Sequence, residues 1–145
     1  MEEFDEKLEE RVWQRVRGQE QPPIPLQALA AAEKSNAGMY LMLSRMMQGR
    51  QKELLRQLYH REQNHSRYLN GISILRDGKA LTARPIPPEG QRVENILRRC
   101  YAGCLKARQE YEKYMTDPEY GAIFTRIARE EQENGAMILE ILGFQ

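Results

Sequence analysis

Residues 76–90, RDGKALTARPIPPEG, decide the fold of this chain because they form a long link with three prolines between helical segments. Hydrophobic periodicity and the placement of proline and glycine predict four long helices around this link. The predicted helices cover approximately residues 26–47, 51–75, 89–115 and 118–142. The first and second helices, and likewise the third and fourth, are joined by a turn of only a few residues, which predicts two antiparallel hairpins.

The length of the link distinguishes between two ways of connecting the hairpins. A simple up-and-down bundle needs only a tight turn at this point. The link, if extended, reaches about 50 Å, whereas a helix of about 20 residues is about 30 Å long. We therefore predict an all-α four-helix bundle made of two antiparallel hairpins joined by a long crossover.

The chain length of 145 residues fits one domain. Residues 1–18 carry apolar side chains, Trp13 among them, on one stripe, and we predict an amphipathic helix that lies against the bundle or a second subunit. Residues 19–25 include EQPPIP and are predicted to be a proline-rich linker, because proline lacks the amide donor that a helix needs. The bundle then occupies residues 26–145.

Composition limits the partners that we expect. Lysine and arginine total 22, and aspartate and glutamate total 21, so no bulk charge favours nucleic acid or an anionic membrane surface. The start, MEEFDEKLEERVW, lacks the order of an export signal, and no apolar run approaches the roughly 18 residues of a membrane span. We predict a cytoplasmic protein with no nucleic-acid or membrane partner, in which Cys100 and Cys104 are reduced thiols.

Charged residues of the first hairpin fall at matched heights on facing helices. Glu33 precedes Gln48 in the turn by almost the same number of positions as Glu62 follows it. At about 1.5 Å of rise per residue the two carboxylates are level. His65 follows Glu62 by three residues and lies on the same face. Bundle helices present metal ligands in this Glu-x-x-His pattern, so we predict a metal site here.

The second hairpin offers fewer ligands at the same height. Glu131 follows Asp117 in the turn by almost the same number of positions as Cys104 precedes it, so no carboxylate on the third helix faces Glu131. Asn134 stands where a histidine would complete the pattern, and its neutral amide oxygen is a poorer ligand than imidazole. We predict Glu131 as a fourth ligand, with Cys104 and Asn134 as doubtful ones.

At these positions the sequence resembles the rubrerythrin-like branch of the ferritin-like superfamily, over roughly residues 26–142. The family pattern is a Glu, a Tyr seven residues later and then Glu-x-x-His. The matching residues in the first half are Glu33, Tyr40, Glu62 and His65. In the second half Cys104 and Asn134 replace the expected Glu and His, which makes that half-site degenerate. The resemblance implies a ferritin-like bundle and a bridged pair of iron or manganese ions that react with peroxide or oxygen.

Charge counting favours fewer than two ions per chain. Three glutamates supply three negative charges beside a neutral His65, whereas two divalent ions bring four positive charges and usually need about four carboxylates. We therefore predict a reduced site with iron, or with manganese or zinc instead. A Cys104 thiolate would favour zinc. The chain lacks the CxxC pairs of an iron–sulfur module, so a redox role would require an external electron donor.

A metal-free bundle is the alternative. Arg108 stands one turn beyond Cys104, and its guanidinium could pair with Glu131 or Glu62 in a buried polar network. Carboxylates kept protonated by burial are a third way to leave the site without metal. The two functional hypotheses are therefore a metal-binding protein, extending to an oxidoreductase acting on peroxide or oxygen, and a structural or interaction bundle. We expect a homodimer.

Overall fold

A computed structural model describes Glu9, residues 23–87 and residues 92–143. The two long ranges contain four α-helices and no strand. The helices are α1 Leu26–Met46, α2 Gly49–Asp77, α3 Val93–Glu112 and α4 Gly121–Leu142. The predicted all-α four-helix bundle is confirmed for this part of the chain. The helix predicted at 1–18, apart from Glu9, and most of the linker predicted at 19–25 lie outside the described residues.

The turn between α3 and α4 is longer than predicted. α3 ends at Glu112, and α4 begins at Gly121 rather than at Pro118. Asp117 acts as the predicted cap, because its Oδ2 accepts hydrogen bonds from two following backbone N–H groups at 3.1 and 2.8 Å. The capped residues form a separate turn and not the first turn of α4.

The two hairpins pack side by side. α1 contacts α2 and α3, whereas α4 contacts α3 and α2. The α2–α4 pair is antiparallel: Arg50 near the start of α2 bonds to Glu140 near the end of α4, and Arg61, further along α2, bonds to Glu133. Because α2 and α3 are both antiparallel to α4, they run in the same direction. They lie diagonally across the bundle, since each of them contacts α1 and α4.

The described part of the link between α2 and α3, residues 78–87, runs along the outside of α1. Side chains of Gln27, Lys34 and Ser35 bond in that order to backbone groups of residues 82–86, at 3.1, 2.9 and 2.8 Å. Because α2 and α3 run in the same direction, the link must return along the bundle, as the sequence predicts. The backbone of Arg92 is extended, so α3 begins at Val93, which is later than predicted.

The core consists of two apolar clusters with a polar layer between them. On α2, Leu58 belongs to one cluster and Leu69 to the other, and residues 62 and 65 are buried between them. Along α1 and α4 the two clusters follow in the reverse order, with Glu33 and Glu131 buried between them in the layer. The clusters keep water away from the layer on both sides, which strengthens electrostatic interactions within it. None of the described helices combines the length and the apolar character that crossing a membrane requires.

Candidate metal centre

Four buried residues from three helices bring their ligand atoms together in the polar layer. Glu33 comes from α1, Glu62 and His65 from α2, and Glu131 from α4. If one ligand atom is taken from each residue, all four atoms lie within 4.8 Å of one another. Each residue has at most 1% of its surface exposed. We call these four residues the donor group. They are the four that the sequence singles out, and one ion could contact all of them.

The donor group is close to the dimensions of a metal site. Oxygen and imidazole ligands lie about 2.0–2.2 Å from a divalent ion such as zinc, so tetrahedral neighbours are about 3.4 Å apart. His65 Nδ1 already lies 3.3 Å from Glu33 Oε2 and 3.2 Å from Glu131 Oε1. Three carboxylates and an imidazole suit zinc, iron or manganese. A bound ion would supply a Lewis acid, and iron or manganese would also supply electron transfer.

Two carboxylate oxygens of the donor group have no hydrogen-bond partner within the described ranges. They are Glu62 Oε2 and Glu131 Oε2, and both are buried. A buried carboxylate oxygen that has lost its water without gaining a partner is costly. A cation held by the donor group would give both carboxylates a partner, so the residues present fit a metal ion.

Glu33 has a further partner on α3. The Tyr111 hydroxyl donates to Glu33 Oε1 at 2.6 Å, and both side chains are buried. From sequence we expect Tyr111 to bond locally, but antiparallel packing of α1 and α3 brings its hydroxyl to the other helix instead. The only sequence signal is that Tyr111 follows Cys104 by seven residues, as Tyr40 follows Glu33.

Burial and mutual charge set the protonation of the metal-free site. Burial, with the charges of Glu33 and Glu131 added, raises the pKa of Glu62 well above its usual range. Burial opposes a charged His65, but bonds to Glu131 and Glu33 outweigh it and raise the pKa of His65 to about 10.

The other two carboxylates respond in opposite directions. Burial and the charge of Glu33 raise the pKa of Glu131 to about 7. Burial also opposes ionisation of Glu33, yet its bonds to neighbouring side chains and the nearby His65 lower its pKa. The metal-free site therefore favours a cationic imidazole and opposes ionisation of Glu62, so that protons take the place of an ion.

Asn134 holds Glu62 rather than offering a ligand atom. Its Nδ2 donates to Glu62 Oε1 at 3.0 Å, and its Oδ1 accepts from Arg61 Nη1 at 3.1 Å. Arg61 also donates to Glu133 Oε2 at 2.9 Å. The amide oxygen is already engaged by a cation, so Asn134 lies outside the donor group. No sequence pattern points to Arg61.

Cys104 also lies outside the donor group. Its Sγ is 3.5 Å from the Tyr40 hydroxyl. Cys100 and Cys104 are buried free thiols, as predicted. Burial raises the pKa of Cys100 to about 12. Burial, with the charge of Glu131 added, also raises the pKa of Cys104 above its ordinary value. Because the thiolate is the metal-binding form, a neutral Cys104 is a poor ligand.

The predicted ion pair between Arg108 and the buried carboxylates is wrong. Arg108 Nε bonds to Glu112 Oε1 at 2.6 Å, one turn along α3, and 41% of its side chain is exposed. Residues four apart on a helix differ in direction by about 40°, which turns Arg108 away from buried Cys104 and toward solvent. At the surface Arg108 pairs with Glu112 without the cost of removing either charge from water. The cation of the metal-free site is protonated His65 instead.

Glu130 is a site residue that sequence reasoning misses. The acidic run EEQE at 130–133 is typical of a solvated face, apart from Glu131. In the structure Glu130 Oε1 lies 3.4 Å from His65 Nε2, on the opposite side of the ring from the donor carboxylates. Its place next to a predicted ligand is the only signal in the sequence.

Comparison with known proteins leaves the functional assignment to this geometry. No protein-family model matches the chain, and neither a curated protein nor a solved structure matches it. The rubrerythrin-like resemblance therefore rests on the residues quoted above, and the metal site rests on the donor group.

Proposed function

We propose that this chain is a ferritin-like, rubrerythrin-like protein that binds one divalent metal ion in its core. The ligands are the donor group, Glu33, Glu62, His65 and Glu131. The observation that carries the proposal is the donor group itself, whose ligand atoms lie within 4.8 Å of one another and in which two buried oxygens, Glu62 Oε2 and Glu131 Oε2, have no partner among the described residues. Because such oxygens are costly without a partner, the site gains most from a cation that contacts both.

One ion fits better than two. Three carboxylates leave a charge of about −1 around one divalent ion, which a buried site tolerates when its carboxylates are hydrogen-bonded. Tyr111 and Asn134 supply such bonds, to Glu33 and Glu62. The residues that would hold a second ion are otherwise engaged, because Asn134 bonds to Arg61 and Cys104 contacts Tyr40.

The resemblance adds an activity to this proposal. With iron or manganese bound, the protein would be an oxidoreductase acting on peroxide or oxygen and would draw electrons from an external donor. This activity stays a prediction from the family pattern. Metal binding is argued from the donor group and does not depend on it.

Elemental analysis of the purified, untagged protein, after growth with iron, manganese and zinc, tests the proposal. We expect about one ion per chain in the wild type and background metal in His65→Ala, because that change removes the nitrogen ligand. His60→Ala is the matched control, since His60 is the other histidine and is exposed on α2. It should keep wild-type metal.

The other outcomes are equally informative. About two ions per chain would overturn the single-ion site and show that Cys104 and Asn134 are tolerated in a second one. Background metal in both the wild type and His65→Ala would overturn metal binding altogether.

The metal-free bundle remains the second candidate because His65 itself can supply the buried cation. Its ring nitrogens face Glu33, Glu131 and Glu130 at 3.2 to 3.4 Å. In that case a chelator would leave the melting temperature of the purified protein unchanged. In the metal-bound protein the chelator would lower it.

A further inference from the structure

The second nitrogen of His65 has its own partner outside the donor group. His65 Nε2 lies 3.4 Å from Glu130 Oε1, while Nδ1 faces Glu33 and Glu131. The imidazole is therefore enclosed by carboxylates at both nitrogens, and no part of it is exposed. The two sides differ, because the donor carboxylates belong to the buried layer and 15% of the Glu130 side chain reaches solvent.

A histidine that binds a metal through one nitrogen must carry its remaining proton on the other. A hydrogen-bond acceptor at that second nitrogen selects the correct tautomer and fixes the ring plane. For an ion in the donor group the ligating atom is Nδ1, so the proton belongs on Nε2. Glu130 is the acceptor in place to receive that hydrogen bond.

We propose that Glu130 is a positioning residue for the metal site: by accepting a hydrogen bond from His65 Nε2, it holds the ring with Nδ1 directed at the ion. This inference rests on the proposed metal-binding function and extends it to a residue that does not touch the ion. Glu130 is thus a determinant of metal affinity.

Contacts on the solvent side hold Glu130 in turn. Arg126 Nε, one turn earlier on α4, lies 3.6 Å from Glu130 Oε1. The Arg126 guanidinium also lies over the Tyr68 ring, 5.4 Å from its centroid, and Tyr68 is on the same helix as His65. The contacts therefore connect α2 to α4 beside the site. Because Arg126 balances Glu130, the carboxylate adds no net charge near the ion.

The test compares Glu130→Ala with Glu140→Ala. Glu140 is on the same helix and makes one surface ion pair, with Arg50, so the control removes an equal charge far from the site. Calorimetric titration of the metal-free proteins with Co²⁺ and Zn²⁺ gives the affinities. We expect Glu130→Ala to bind about 10–100-fold more weakly and Glu140→Ala to match the wild type.

Glu130→Asp separates contact from charge, because aspartate keeps the negative charge but is one methylene shorter. We expect it to lose affinity as Glu130→Ala does. The Co²⁺ absorption spectrum should also change in both variants, since the ligating ring is no longer held, and far-UV circular dichroism should not. In the Zn²⁺-loaded wild type, NMR should show a slowly exchanging His65 Nε2 proton that is lost in Glu130→Ala.

The outcomes separate this inference from the function beneath it. If the wild type binds neither ion, the metal-binding function fails and Glu130 loses its role with it. If the wild type binds but Glu130→Ala behaves like Glu140→Ala, only the positioning role is overturned. Wild-type affinity and spectrum in Glu130→Asp would likewise overturn it, because charge alone would then be sufficient.

Discussion

His65 contacts carboxylates on both sides of its ring, and the proton count of the site depends on it. In the metal-free protein its pKa is raised to about 10, so the ring is a cation that pairs with Glu33 and Glu131. Metal binding requires the same Nδ1 to give up its proton. Protons and metal ions therefore compete for one position, and the metal-free protein has a pH dependence of its own.

The stability of the metal-free protein should fall as pH rises. The folded protein retains protons on His65, on Glu62 and, up to about pH 7, on Glu131 that the unfolded chain has lost. Raised pKa values contribute stability at low pH that disappears as pH rises. The lowered pKa of Glu33 contributes stability that increases with pH. That contribution no longer changes above 4.5, the ordinary pKa that Glu33 has in the unfolded chain.

Thermal unfolding with a chelator present should therefore give a lower melting temperature at about pH 9 than at about pH 6. Glu62→Gln, which cannot ionise, should make the difference smaller. A melting temperature that is constant or rises over this range would show that the buried groups do not hold these protons.

Tyr111→Phe should destabilise the protein by about 1.5–3 kcal/mol, the usual loss for a hydrogen bond to a charged group. The change removes the hydroxyl that donates to Glu33 Oε1 and leaves the ring in place. Urea unfolding with a chelator measures it. Tyr101→Phe is the control, because Tyr101 packs against the core and its hydroxyl makes no hydrogen bond to any described residue. Equal effects would contradict a specific role for the bond.

Heights along the helices can be predicted from the sequence, whereas directions around them cannot. Counting residues from a turn places Glu33 and Glu62 level, because the helical rise is constant. Whether Arg108 faces the core or solvent depends on how α3 is rotated, and whether Tyr111 reaches α1 depends on which helices are neighbours. Tertiary packing sets both, so the donor group could be predicted and its hydrogen-bond partners could not.

At the scale of elements, the ends of the helices are determined by local chemistry. The predicted helix ends agree with the structure to within four residues, and the α3–α4 turn is longer than predicted on both sides. There the chain approaches itself closely, because a Cβ at Gly121 would collide with the backbone carbonyl of Met115. Sequence patterns indicate that a turn exists, but they do not show that it needs a residue without a side chain.

Gly121→Ala should therefore destabilise the protein by about 1–3 kcal/mol, since backbone must move to admit the methyl group. Gly71→Ala is the opposite case. Gly71 is inside α2, and a Cβ there meets nothing within 4 Å. Replacing a glycine in a helix interior should stabilise by about 0.5–1 kcal/mol. Urea unfolding of both variants checks the pair, and a destabilised Gly71→Ala would show that α2 needs this glycine for another reason.

For the whole molecule, the bundle and its crossover follow from the lengths of the connections. The predicted link at 76–90, with its three prolines, is longer than a hairpin turn needs, and the structure shows residues 82–86 running along α1. The homodimer and the oxidoreductase activity stay predictions, as they concern surfaces and chemistry beyond these helices. Size-exclusion chromatography with light scattering would determine the oligomeric state.

Metal binding should stabilise the whole bundle. An ion that binds only the folded state contributes about 2.7 kcal/mol at a free concentration about 100 times its Kd. For a chain of this size that corresponds to a rise in melting temperature of roughly 5–10 °C. Differential scanning fluorimetry should show the rise in the wild type and His60→Ala and its loss in His65→Ala. Bound metal without any rise would indicate surface binding.

The division of the donor group between the hairpins has a consequence for folding kinetics. The α1–α2 hairpin carries Glu33, Glu62 and His65, and the α3–α4 hairpin carries Glu131. Contacts within a hairpin are local and form early, whereas contacts between hairpins close a long loop and form late. A complete coordination shell can exist only after the hairpins dock. Bound metal should therefore slow unfolding, whereas metal added during refolding should leave the rate of hairpin formation unchanged. The ion would then report on the docking step.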